Sequence, residues 1–268
     1  MKIRKEELME KGIVYFLVII LANTVGAISG MGGGVIIKPV LDFIAADPVA
    51  VVSFYSSVAV FVMSITSTIR QVRGGMTVQG KFLTWVAGGS IFGGFLGNHT
   101  FEFFLNNFSD EWLVQMIQIG LTIITLLFAL FYNHFHLRKF QLTGIFWYFI
   151  CGGILGFLSS LLGIGGGPIN VSLLIFMFGV PIKKATVYSI CTIFFSQLAK
   201  LMTIAFTSGF GRYDLSMLVY VVLAAVIGGF VGAKVSQVIS PKRVSQIFEA
   251  VILLVLLINL YNGFYLFF

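Results

Sequence analysis

The sequence predicts an all-α polytopic membrane protein of two duplicated halves, read as inverted repeats. About eight to ten helical segments are expected, including short half-helices after GxGGG loops. Three observations predict this. Of 268 residues, 58% are hydrophobic and 10% charged, and the mean hydropathy is +1.02, whereas a soluble domain is about half apolar and a quarter charged. Apolar runs of roughly 17–25 residues, the length a helix needs to cross a bilayer, recur along the chain. Two triple-glycine runs, in "SGMGGGVIIKP" from Ser29 and "LLGIGGGPINVS" from Leu161, break into apolar stretches.

Taken in order, residues 1–11 form an N-terminal tail, 12–132 a first transmembrane half, 133–142 a connecting loop and 143–268 a second transmembrane half. The tail, "MKIRKEELMEKG", mixes acids with bases and no small-residue cleavage site follows, so the first span is expected to be uncleaved. Helical segments fall at about 12–29, 35–46, 49–70, 79–100 and 111–132, then 143–162, 168–179, 183–207, 214–237 and 243–266. Gly, Pro or charge marks the breaks, as in "AADPV", "RQVRGGM", "NNFSDEW" and "NHFHLRKFQ". At 1.5 Å per residue the segments 35–46 and 168–179 are too short to cross, which suits half-helices or re-entrant hairpins.

The second half echoes the first. Gly32-Gly33-Gly34 matches Gly165-Gly166-Gly167, Pro48 matches Pro181, and Tyr55-Ser56 matches Tyr188-Ser189, all at an offset of 133 residues. "GGFLG" at Gly93 matches "GGFVG" at Gly228, now offset by 135. Paired repeats interrupted at equivalent positions point to a secondary transporter's central site.

The net charge of +7 does not read as nucleic-acid binding, because Lys and Arg sit mainly in the short connections, where the positive-inside bias puts them. Arg70, Arg73 and Lys81 share a side with Arg138 and Lys139, and the intervening loop, with Glu102, Asp110 and Glu111, is external. Odd crossings per half (inverted repeats) and a single broken crossing at each hairpin (parallel repeats) both give about 10 to 5 Lys plus Arg in favour of the inside. Inversion is the preferred reading and the parallel one stays open. Cys151 and Cys191 lie in apolar segments and read as small buried hydrophobes.

Small-residue helix packing accounts for "GGFLG" and "GGFVG". It accounts poorly for Gly30-Met31-Gly32-Gly33-Gly34 and Gly163-Ile164-Gly165-Gly166-Gly167, where small residues occupy every face. Irregular backbone at membrane depth is tolerated where protein or water surrounds it, and glycine leaves its N–H groups bare. Half-helices starting at Val35 and Pro168 would turn their positive dipole ends to the same cavity, with proline well suited to the first turn. Gly32, Gly33, Gly34, Gly165, Gly166 and Gly167 therefore form a candidate central anion site. A soluble phosphate loop is excluded: no strand precedes either run, no Lys-Ser/Thr follows, and G-x-G-x-x-G spacing is missing.

Beside the loops runs a polar stripe. Thr186, Ser189, Thr192, Ser196, Lys200, Thr203 and Thr207 recur in steps of three and four, one face of a helix, with Gln197 at its flank. Ser53, Ser56, Ser64, Ser67 and Arg70 occupy comparable positions in the first half, Ser67 standing where Lys200 stands. Ser and Thr often serve as glue between membrane helices. Lys200, an ionisable group inside an apolar segment, is a functional candidate, with snorkelling to the surface as the alternative. Asn170, three residues past the second triplet, is placed to point its amide into the cavity, and Lys38 and Asp42 at i, i+4 pair with each other. The candidate substrate-binding set is the six glycines with Asn170, Ser56, Ser189, Thr192, Ser196 and Lys200.

An enzyme is not expected. His99, His134 and His136 lie at loops or segment ends, and neither H-E-x-x-H nor G-x-S-x-G occurs. A non-transporting scaffold or receptor would explain the helices but not the paired breaks. No acidic residue clearly lines the stripe; Asp42 and Glu249 are the nearest proton carriers.

The duplicated "GMGGGVIIKPVLDF" and "GIGGGPINVSLLIFMFGVPIKKAT" resemble the TauE/SafE family of sulfite and organosulfonate exporters, also grouped as 4-toluenesulfonate uptake permeases, from about Gly12 to Phe268. The family tends to place a proline shortly after each triplet; Pro39 keeps it, while Ser172 stands at the matching place in the second half. The resemblance implies a multi-pass plasma-membrane transporter of small anions, typically sulfite or sulfonates. The expected partners are that anion and the lipid bilayer, with no nucleic acid, no metal and no cofactor; a homo-oligomer stays open.

Overall fold

The computed structural model describes residues 2–44, 47–75, 79–108, 110–135 and 139–267. Among them there is no strand. The helices are α1 (Lys2–Ser29), α2 (Gly34–Ile44), α3 (Val49–Arg73), α4 (Gly80–Asn107) and α5 (Glu111–Phe135), then α6 (Ile145–Leu161), α7 (Pro168–Phe178), α8 (Ile182–Phe206), α9 (Leu218–Val238) and α10 (Pro241–Phe267). A 3-10 turn, Leu215–Met217, leads into α9. Segment boundaries follow the sequence expectation closely except at two places: α4 runs to Asn107 rather than to about residue 100, and α1 starts early. The helix begins at Lys2 rather than near residue 12, because the Lys and Glu of the tail are good helix formers and extend the apolar span.

Among the described residues, six helical stretches are long and apolar enough to cross a membrane: Met9–Ser29, Val49–Arg73, Glu111–Asn133, Ile182–Phe206, Leu215–Val238 and Pro241–Leu266. The chain is a multi-pass membrane protein. Leu21, Phe92, Ile124, Phe146, Val219 and Leu257 stand exposed on its flanks, where lipid rather than water is the solvent. α2 and α7, 11 residues each, reach only about 16 Å.

Contacts between helix ends define two faces. On the first face Tyr15 donates its hydroxyl to Asp47, just beyond α2, and Lys11 pairs with the same carboxylate. The α1–α2 pair therefore turns back to the face it came from. The Val49 N–H donates to Glu111, the Trp112 indole to the Leu266 carbonyl, Tyr55 to the Asp214 carbonyl, and Arg212 to Glu102. On the second face the Gln79 N–H donates to the Tyr188 hydroxyl, Gln237 to the Arg70 carbonyl, and the Phe140 N–H to the Phe176 carbonyl. α6 and α7 thus enter and return from the face opposite to α1 and α2. The second face carries Arg70, Arg73, Lys81, Lys139, Lys183, Lys184, Lys242 and Arg243; Arg138, expected beside them, lies outside the described residues. The first face carries the acidic Asp47, Glu102, Asp110, Glu111 and Asp214.

Each hairpin packs on the opposite half: α1 lies along α9, and α6 along α4. Both seams are main chain against main chain. A Cβ at Gly93 or Gly97 would overlap the Gly153 or Phe157 carbonyl of α6, and one at Gly232 would overlap the Thr24 carbonyl of α1. This is the close approach that small residues permit in membranes. Two apolar cores flank the middle. One joins Ile19, Ile37, Phe54, Val60 and Val221; the other joins Val35, Val86, Leu155, Ile164 and Leu174.

Candidate functional site

α1 ends at Ser29 and α2 starts at Gly34; α6 ends at Leu161 and α7 starts at Pro168. Pro168 occupies the first helical position, where its missing N–H costs nothing. The chain reverses through left-handed backbone, with φ of +77° at Gly32, +128° at Gly166 and +146° at Gly167, conformations that only glycine adopts cheaply.

The two loops meet. A Cβ on Gly34 would overlap the Ile164 carbonyl, and one on Gly32 would lie 3.4 Å from the Gly165 carbonyl oxygen. Val60 of α3 and Ile193 of α8, themselves 133 residues apart, lie against both. α8 braces the first loop, with Thr186 against Gly30 and Ser189 donating its hydroxyl to the Gly30 carbonyl. α3 braces the second, with Ser53 against Gly163.

Around this junction polar groups go unused. The Gly33, Gly166 and Gly167 N–H groups have no acceptor among the described residues. Asn170 is fully buried with both amide atoms unpartnered, and its Nδ2 lies 3.2 Å from where a Gly166 Cβ would stand. Ser56 Oγ, 2.9 Å from the Cβ position of Gly34, is buried and unpartnered too, as are Ser172 Oγ and Asn23 Oδ1. Each such group costs about 1–3 kcal/mol unless a guest or water satisfies it.

The rest of the stripe divides. Thr192 donates to the Tyr188 carbonyl of its own helix at 2.8 Å, so with Ser189 its proton is committed. Ser196 lies 3.0 Å from both the Ile193 carbonyl and Ser159 Oγ, and Gln197 donates to Ser159 at 2.9 Å. Lys200 is 1% exposed and does not snorkel. Its ammonium donates to Ser53 Oγ at 2.8 Å and to the Ser160 carbonyl at 3.2 Å, and stands 5.3 Å from the centre of the Phe101 ring. The carbonyl end of α6 and an aromatic face thus carry its charge; no carboxylate pairs with it among the described residues.

Both nearest proton carriers are engaged: Asp42 pairs with Lys38 at 2.9 Å, and Glu249 accepts from Asn133. Cys151 and Cys191 are buried free thiols. Among the described residues no group of three His, Cys, Asp or Glu could hold a metal; the His134 side chain and His136 lie outside them.

All twelve candidate residues are buried. A cavity of about 470 Å³ opens at the first face, lined by Asp42, Asp47, Gln115 and Asn262 among others, and one of about 400 Å³ at the second, lined by Gln79, Gln141, Tyr148, Lys184 and Tyr188 among others. Neither is lined by the glycine loops, whose six candidate glycines are all buried. The junction offers hydrogen-bond donors without a carboxylate, which is the chemistry that receives negative charge.

Sequence reasoning missed Asn23, Asn98 and Gln118, single amides buried in α1, α4 and α5. An isolated amide has no spacing to betray it; its presence inside an apolar run was the available signal.

The model of the family "Sulfite exporter TauE/SafE" matches residues 15–260. Among curated relatives, the chain is 27% identical over 266 residues to a probable membrane transporter protein, YunE, of Bacillus subtilis, covering 92% of this chain and 96% of that one. It is 28% identical over 256 residues to a second probable membrane transporter protein, from Methanocaldococcus jannaschii, covering 90% of each. No solved structure matches.

Proposed function

The chain belongs to the TauE/SafE sulfite exporter family of membrane transporters, and from that premise we propose that it carries a small oxyanion, sulfite or an organosulfonate, by alternating access around the two glycine loops. The observation that carries this reading is the cluster of unspent donors at the loop junction: the Asn170 amide, the Ser56 hydroxyl and the bare Gly33, Gly166 and Gly167 N–H groups. In lipid such groups are not left idle. The reading leaves no part for an enzyme.

The halves are inverted repeats, residues 12–132 and 143–268 about a connection at 133–142. The shared order of five elements and the opposite faces from which α1 and α6 enter support this. The buried junction, with a cavity at either face and neither lined by the loops, supports an occluded state from which access alternates. The cationic second face is cytoplasmic by the positive-inside rule.

Flux of radiolabelled sulfite and sulfonates into proteoliposomes tests the proposal. Gly33→Val, whose Cβ would strike Asn23, and Gly166→Val, forced to φ +128°, should abolish flux in protein that still inserts. Unimpaired flux in both variants would count against it.

A further inference from the structure

We propose that Asn98, on α4, is a direct ligand of the transported anion and that it sets the anion's seat to one side, in the seam between α4 and α8. The inference rests on the oxyanion reading above and adds to it a residue and a place.

Asn98 is fully buried, and neither its Nδ2 nor its Oδ1 has a partner. Its position on the helix shows what it faces. Gly94, one turn earlier, lies against the Ser196 main chain and Ala199 of α8, and Phe101, one turn later, lies under the Lys200 ammonium. Residues at i, i+4 and i+7 share a helix face, so Asn98 is presented to α8 between those two contacts, level with Lys200. Lys200 has three donors and spends two, on Ser53 and Ser160. A buried cation without a counter-ion and a buried amide without a partner therefore face one seam. A single oxyanion engages both, its oxygens accepting from Nδ2 and from the remaining Lys200 proton, while Oδ1 is left for a water or hydroxyl donor.

The seam is continuous with the second glycine loop, because Ser53 touches both Gly163 and Lys200. It is also specific to one side. The offset of 135 that relates α4 to α9 places Ala233 where Asn98 stands, and Ser67 stands where Lys200 stands. Gln197, whose Oε1 is likewise unpartnered, adds to the polar side.

The test is equilibrium binding of sulfite, sulfate and benzenesulfonate to the full-length protein in lipid nanodiscs, comparing wild type with Asn98→Ala and Asn98→Leu, alongside thermal melting. Both variants should bind at least tenfold more weakly. Asn98→Leu should melt no lower than wild type, since the amide it replaces makes no bond within the protein. Sulfite affinity within twofold of wild type in folded Asn98→Ala overturns the proposal, because an amide serving only packing or an ordered water leaves anion affinity untouched. If Asn98→Leu does not fold, Asn98→Ala decides alone. Wild-type protein that binds none of the three anions overturns the oxyanion reading itself, and the role of Asn98 with it.

Discussion

Lys200 sits among hydroxyls and carbonyls where a carboxylate would be the ordinary partner, and that substitution of dipoles for a counter-ion leaves room for an anion. Replacing it by methionine, of similar length and without charge, should weaken sulfite binding about tenfold, a little over 1 kcal/mol, in protein that still inserts. Binding to purified protein measures this, and unchanged affinity removes Lys200 from the site. At this scale the sequence was only partly legible. Spacing by threes and fours marked the stripe, and intramembrane charge marked Lys200. Yet spacing does not tell Thr192, whose proton goes to its own helix, from Ser56, whose proton goes nowhere. Both read alike until the neighbouring carbonyls are placed. Asn98 escaped for the opposite reason, as one polar residue with no pattern around it.

Among the helices, glycine serves two purposes that local context separates. In the loops it supplies left-handed backbone; in α4, α6 and α9 it removes a side chain so that main chains touch. The second purpose makes a sharp comparison possible. A Cβ at Gly93 would overlap the Gly153 carbonyl, while one at Gly153 finds its nearest atom, the Gly89 carbonyl oxygen, at 3.9 Å. Gly153→Ala should change stability by less than about 0.5 kcal/mol, whereas Gly93→Ala should cost about 2 kcal/mol or more through forced separation of α4 and α6. Thermal melting in detergent compares them, and equal melting temperatures would refute the close seam. Helix boundaries were legible because apolar length and punctuation set them. The start of α1 and the end of α4 were not, since a charged tail and the polar residues from Asn98 to Asn107 read as breaks in hydropathy while remaining helical.

For the molecule as a whole, sequence offered the matched motifs from which we propose a duplication, but not the packing of each hairpin on a distant helix, α1 on α9 and α6 on α4. Those contacts join segments about 200 and 60 residues apart, and no local signal encodes such pairing. The arrangement biases charge: the second face carries most of the Lys and Arg, while the first carries Asp47, Glu102, Asp110, Glu111 and Asp214 with Lys11 and Arg212 paired among them. The proposed orientation, with the second face cytoplasmic, predicts that a cysteine replacing exposed Asn106 reacts with a membrane-impermeant maleimide in intact cells. One replacing exposed Thr143 should react only after lysis; the reverse pattern would invert the orientation. The central claim is that backbone and amide donors at the meeting of the two loops hold an anion. Crystals grown with selenate, read by anomalous scattering, test it most directly. The account predicts a selenium peak within hydrogen-bond reach of the buried donors: the Asn170 amide, the Gly166 and Gly167 N–H groups or the Lys200 ammonium. A peak confined to the surface cavities beside Asp42 or Lys184, with none at those donors, would contradict it.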